Sequence, residues 1–106
     1  MIGEIKSLKS QDLEAGQLPE APGECAISLL VHIGPEGQEQ SELFFLEVMT
    51  PRWFEKIGRP FWCTRVLIVP SFDWLTVERE IGRMLTQCQA DTWPEVTEKI
   101  GYFLER

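Results

Sequence analysis

Two β-forming runs, Cys25–Ile33 (CAISLLVHI) and Glu42–Met49 (ELFFLEVM), are separated only by residues 34–41, which begin with the turn signal Gly34-Pro35-Glu36-Gly37. A crossover between parallel strands needs about a dozen residues or more. The two runs therefore pair as an antiparallel hairpin. Residues 2–9 read as a further strand ahead of them. Residues 10–24 carry two Pro, two Gly and the acids Asp12, Glu14, Glu20 and Glu24, the composition of a mobile loop.

After the hairpin the pattern changes from strand to helix. Thr50 supplies a side-chain cap, Pro51 suits the first helical position, and Gly58 ends the segment. Residues 59–63 form an irregular link, and Arg65–Val69 is a compact strand closed by Pro70. Ser71 or Asp73 caps the next helix, whose apolar positions are Trp74, Val77, Ile81, Met84, Leu85 and Cys88. Thr92-Trp93-Pro94-Glu95 is a capping box. It starts a last helix with Trp93, Val96, Ile100 and Phe103 on one stripe. The order β-β-β-α-β-α-α predicts an α+β fold. Its antiparallel or mixed sheet has about four strands, with two C-terminal helices packed on one face and a short helix after the central hairpin.

A chain of 106 residues fits one domain, residues 1–106. It is 43% hydrophobic and 25% charged, too apolar for disorder. No apolar run approaches the roughly 18–20 residues that span a bilayer. The start, MIGEIKSLKS, lacks the apolar stretch and cleavage site of a signal peptide, so a cytoplasmic location is expected. Cys25, Cys63 and Cys88 are odd in number and widely spaced. That argues against a disulfide scaffold or a zinc site, and all three are expected as buried or half-buried thiols.

Charge is segregated. Residues 1–47 hold nine acids and two bases, whereas residues 48–106 hold eight of each, so the whole net charge of −7 lies in the first part. Such a field repels nucleic acid and anionic membrane, and it speeds encounter with cationic surfaces.

Catalytic constellations are not visible. His32, the only histidine, lies in a strand and shares a face with Leu30 and Ser28. It has no second ligand at metal spacing. No GxSxG or phosphate-loop motif occurs. Glu36, Glu39 and Glu42 lie at a turn tip, where acids are ordinarily solvated. Trp74 and Trp93 sit on apolar stripes and read as core, as do Trp53 and Phe54. Phe61 and Trp62 lie in the irregular link, where they are either core or anchors for a partner. If Phe44, Leu46 and Val48 point inward, Leu43, Phe45, Glu47 and Met49 point outward. Either a helix covers each face of that strand, or one face is left for a partner.

With these motifs in place, the chain resembles the immunity protein 8 family of bacterial polymorphic toxin systems. The resemblance rests on E-I-K-S-L-K-S-Q-D-L (Glu4 to Leu13), I-G-P-E-G (Ile33 to Gly37) and F-x-L-x-V-x-T-P-x-W (Phe44 to Trp53). It continues through L-I-V and F-D-W (Leu67 to Val69, Phe72 to Trp74), Cys88, and T-W-x-E-x-x-x-K-I (Thr92 to Ile100). Met49 departs from it, standing where a small residue or cysteine is expected. The resemblance implies an α+β protein that binds and blocks the C-terminal domain of a secreted toxin encoded next to it; the residues themselves lead us to expect no cofactor and no metal. It supplies no interface residues.

Charge adds that the toxin domain is basic, a nuclease being the natural case. Contacts are then expected from Glu36, Glu39 and Glu42, next from Glu20 and Glu24, with Phe61 and Trp62 as apolar anchors. The expected partner state is a monomer in a 1:1 heterodimer, with neither nucleic acid nor membrane. Two other classes remain in play: a small carboxylate hydrolase, which would need a pocket of convergent polar groups, and a non-catalytic adaptor or assembly subunit for another basic protein.

Overall fold

A computed structural model describes all 106 residues. Its elements are β1 (Gly3–Ser10), β2 (Ala26–Pro35), β3 (Glu42–Met49), α1 (Pro51–Ile57), β4 (Val66–Ile68), α2 (Trp74–Gln87) and α3 (Trp93–Ile100). The four strands form one mixed sheet in the order β1-β2-β3-β4. β1 and β3 run antiparallel to β2, while β4 runs parallel to β3. The fold is thus the expected α+β arrangement.

Alternation along the hairpin decides which face is buried. Ile27, Leu29, Val31 and Ile33 of β2, with Phe44, Leu46 and Val48 of β3, all point inward and are buried. On β1 the apolar residues Ile5 and Leu8 are three apart, which a regular strand would place on opposite faces. A bulge between Ile5 and Ser7 corrects this: Ile5 pairs with Ile33 and Leu8 with Val31, so both meet the core.

The helices lie on that inner face. Val77, Ile81, Met84 and Leu85 of α2, and Val96 and Ile100 of α3, join the same buried cluster. The shortest dimension of the molecule is 19 Å. One sheet and one helix layer, about 10 Å apart, fill it. Caps form as the sequence indicates: Thr50 for α1, Asp73 for α2 and Thr92 for α3, with Gly58 left-handed after α1.

Several details differ from the sequence reading. Residues 11–25 are not a free loop. The Trp74 indole donates to the Gln17 carbonyl at 2.7 Å, the Phe72 amide donates to Pro22 at 2.7 Å, and Pro19 is buried. α1 buries none of its residues; Phe54 is exposed and Trp53 half-buried, because α2 and α3 already fill the core face. Phe103 is exposed as well. α3 stops at Ile100, and the turn that follows sends Leu104 inward instead.

β2 also outruns β3, whose last partner is Ile33, by continuing to Pro35 against Gly3. Pro35 is tolerated there because β3 no longer needs its missing amide. Gly34 is required for a different reason. Its Cβ would point outward and fall 1.8 Å from the Gln40 carbonyl oxygen. Gly82, inside α2, has open space around it. Gly34→Ala is expected to lower stability by about 2 kcal/mol or more through the backbone clash. Gly82→Ala is expected to raise it by about 0.5–1 kcal/mol through helix propensity. Urea denaturation of the two variants checks the opposite signs.

Candidate functional site

The residues singled out from sequence fall into two groups at opposite ends of the sheet. Glu24 precedes β2 and Glu36 follows it. Ten strand residues lie between them, about 33 Å of chain. The acids of the first part of the chain therefore do not make one patch.

At one end, residues 36–41 form an exposed loop. The Glu36 amide donates to the Ile2 carbonyl at 3.0 Å, the Gln38 amide to Pro35 at 3.1 Å, and Gly37 is left-handed. Since Gln40 occupies the space where a Gly34 side chain would project, this loop folds over the outward face of the sheet. Glu36 and Glu39 are exposed on it and form no ion pair. Glu42 is not at the tip. It is the first residue of β3, accepts from the Trp93 indole at 3.1 Å and pairs with Arg106. This carboxylate ties α3 and the C-terminus to the hairpin. Beside it, Phe45 exchanges both backbone hydrogen bonds with Glu105, so the C-terminal residues continue the line of β4 along the edge of β3.

At the other end lie Glu20, Glu24, Phe61 and Trp62. Glu20 is exposed, and Glu24 pairs with Lys56 of α1 at 3.4 Å. Trp62 is fully exposed, at 101%. Phe61 is at the surface and packs against Phe54 with the rings tilted, their centroids 5.4 Å apart. Neither is core. Arg52, Lys56, Arg59 and Arg65 surround these rings in sequence, so this end mixes acids and bases.

Between the two ends lies the outward face of the sheet, which helices α2 and α3 leave open. Pairing places Ser28 beside Glu47, Leu30 beside Phe45, His32 beside Leu43, and Val66 beside Glu47. Leu43, Phe45 and Ile68 are 38%, 40% and 56% exposed. Met49 belongs to the same set by alternation but is buried outside the core cluster, next to the start of α1. A cleft of about 390 Å³ opens on this face. Ser28, Leu30, Phe45, Glu47, Arg65 and Glu105 are among the residues that line it. Ser28 donates to Glu47 at 2.8 Å across its floor. Sequence reasoning posed the question of this face through the apolar residues on both sides of β3. It placed Leu43 and Phe45 on this face but did not name Ile68 or decide whether a helix covers the face, because exposure depends on where the helices dock.

The structure also contains a contact that sequence spacing does not reveal: Ser7 Oγ lies 3.0 Å from His32 Nδ1. The bulge in β1 brings Ser7 opposite His32. No carboxylate bonds the ring, so the pair lacks the orienting acid of a nucleophilic triad. No three His, Cys, Asp or Glu side chains come together as a metal site. No helix is long and apolar enough to cross a membrane.

The thiols differ from expectation in one case. Cys25 and Cys88 are buried, but Cys63, in the link after α1, is exposed. Burial pushes the Cys25 and Cys88 thiols above the ordinary value; nearby Lys99 partly offsets this at Cys88. A raised folded pKa means that the unfolded chain loses these protons first. Their contribution to stability is complete below the unfolded thiol pKa, about 8.5, and is lost as pH rises through the folded values. One thiol, Cys63, is expected to react rapidly with a chromogenic disulfide reagent under native conditions, and two only on unfolding. Urea midpoints measured from pH 7.5 to 10 should decline at the alkaline end, and less so in Cys88→Ala.

A family model described as Immunity protein 8 matches residues 3–105, and the chain belongs to that family. It is therefore an immunity protein of a toxin system, a class that works by binding a cognate toxin protein and is generally non-catalytic. Comparison with curated proteins and with solved structures gives no match.

Proposed function

We propose that this member of the immunity protein 8 family neutralises its toxin by stoichiometric occlusion, as a monomer in a 1:1 complex formed in the cytoplasm. The target is the C-terminal domain of a secreted toxin with a basic surface, of the nuclease type.

One observation carries the charge of the partner: Glu36 and Glu39 stand exposed and unpaired on a loop held to the sheet by backbone contacts. A nuclease must hold phosphate, and it does so with cations. Carboxylates fixed on a rigid scaffold lose little freedom when they meet those cations, and they raise the association rate. Glu20 is free in the same way. Glu42 and Glu24 already have intramolecular cations, so their share is smaller. Phe61 and Trp62 serve as apolar anchors, being residue types that dominate interface energies when desolvated.

The direct test is calorimetry against the C-terminal domain of the protein encoded immediately upstream. A 1:1 complex at nanomolar affinity or tighter is the expected result. No heat and no co-purification would discard that pairing and favour an adaptor for some other basic protein. Within the complex, Glu36→Lys/Glu39→Lys should slow association roughly tenfold or more and flatten its salt dependence. Unchanged stopped-flow kinetics would remove the loop from the interface.

A further inference from the structure

We propose that the toxin docks on the open outward face of the sheet, with its apolar contact on Leu30, Leu43, Phe45 and Ile68 and its basic margin against the loop of residues 36–41. This rests on the reading above that the chain occludes a basic toxin domain, and it places the centre of the interface on residues outside the acidic groups.

Four observations converge on this face. First, both helices that bury apolar surface lie on the other side, and the 19 Å thickness leaves no room for a further layer. Leu43, Phe45 and Ile68 remain exposed, whereas the inner face of the sheet is covered by the helices. Leu30 and Phe45 are paired neighbours and Leu43 follows on the same face, with Glu47 between them and Ile68; exposed apolar groups gathered in this way mark a contact surface. Second, its size suits one. Strands of eight, ten, eight and three residues, spaced about 4.8 Å apart at about 3.3 Å per residue, give roughly 460 Å². With the loop and link at its ends this approaches the roughly 800 Å² that one partner contributes to a standard interface.

Third, the shape is a shallow trough. The loop of residues 36–41 folds over this face at Gly34, and a cleft opens beside Phe45. Fourth, charge is placed at one end of it. Glu36 and Glu39 stand exposed and unpaired there, whereas Arg106 is engaged by Glu42 and Arg65 donates to the Gly101 carbonyl. The fitting partner is a protein surface with an apolar centre and a basic margin. Negative charge at one end of the face biases the orientation of the dock as well as the association rate.

The experiment uses the full chain and the C-terminal domain of the upstream-encoded protein. Leu43→Thr/Phe45→Thr keeps β-compatible residues in β3 and removes the apolar contact. Leu75→Gln changes an exposed apolar residue on α2, on the opposite side of the molecule. Urea denaturation first establishes that each variant is folded; Ile68→Thr replaces the double variant if that one is not. The face variant is expected to weaken binding at least 100-fold, mainly through faster dissociation, while Leu75→Gln stays within threefold of the unmodified protein.

Unmodified binding by a folded face variant overturns the docking face and leaves the immunity reading intact. So does loss of binding in Leu75→Gln with the face variant unaffected. Absence of binding by the unmodified protein overturns both. A toxin-free dimer by sedimentation, dissociated by the face variant, would assign the face to a second copy and overturn the inference.

Discussion

The inward alternation of β2 and β3 is the constraint to which every other element answers. Ile27, Leu29, Val31 and Ile33 must leave water together with Phe44, Leu46 and Val48, and only one layer of helices is available to cover them. β1 meets this demand by bulging at Lys6, so that Ile5 and Leu8 both turn inward. α2 and α3 meet it with stripes at spacings of three and four. The C-terminal residues complete the edge of β3 where β4 is too short to reach, joined there by Glu42, Trp93 and Arg106. Buried Thr50 closes the other end: its hydroxyl accepts from the Cys25 and Trp53 amides, binding the start of β2 to the cap of α1.

Most of this was legible because it follows from local periodicity. β3 and α1 fall at the residues where their patterns begin and end, since a turn, a cap and a C-terminal glycine mark them. What the sequence leaves open is set by tertiary packing. Nothing in Trp53-Phe54 distinguishes a core helix from one left outside; α2 and α3 had first to occupy the inner face. Residues 11–25 read as free because their anchors, Trp74 and Phe72, lie far along the chain. Phe103 and Leu104 both fit the stripe of α3, and the turn after Ile100 selects the second.

The charge asymmetry shows how a sequence-level quantity changes meaning in three dimensions. Residues 1–47 read as one acidic block, but β2 runs through its middle and carries Glu20 and Glu24 to the opposite end from Glu36 and Glu39. Two of the candidate acids are then neutralised locally, Glu24 by Lys56 and Glu42 by Arg106. Such surface pairs contribute little to stability. Their effect here is on the field, which leaves the 36–41 loop as the part of the candidate set with an unscreened negative charge at that end.

The division of labour between the two faces of the sheet bears on how such a protein keeps pace with a partner. Stability resides in the inner face, where removing methylene groups from a close-packed cluster costs about 2–5 kcal/mol per large side chain. Exposed outward positions such as Leu43, Phe45 and Ile68 contribute far less, because surface substitutions away from special features usually fall within about 0.5 kcal/mol. A protein of marginal stability can therefore exchange its outward residues, and the partner they fit, without unfolding. Glu42 differs from these, since it lies on the inner side by alternation and joins β3, Trp93 and Arg106 next to the loop of residues 36–41. A change there disturbs both the fold and the surface, which makes it the position where adaptation to a new partner is most constrained by the structure.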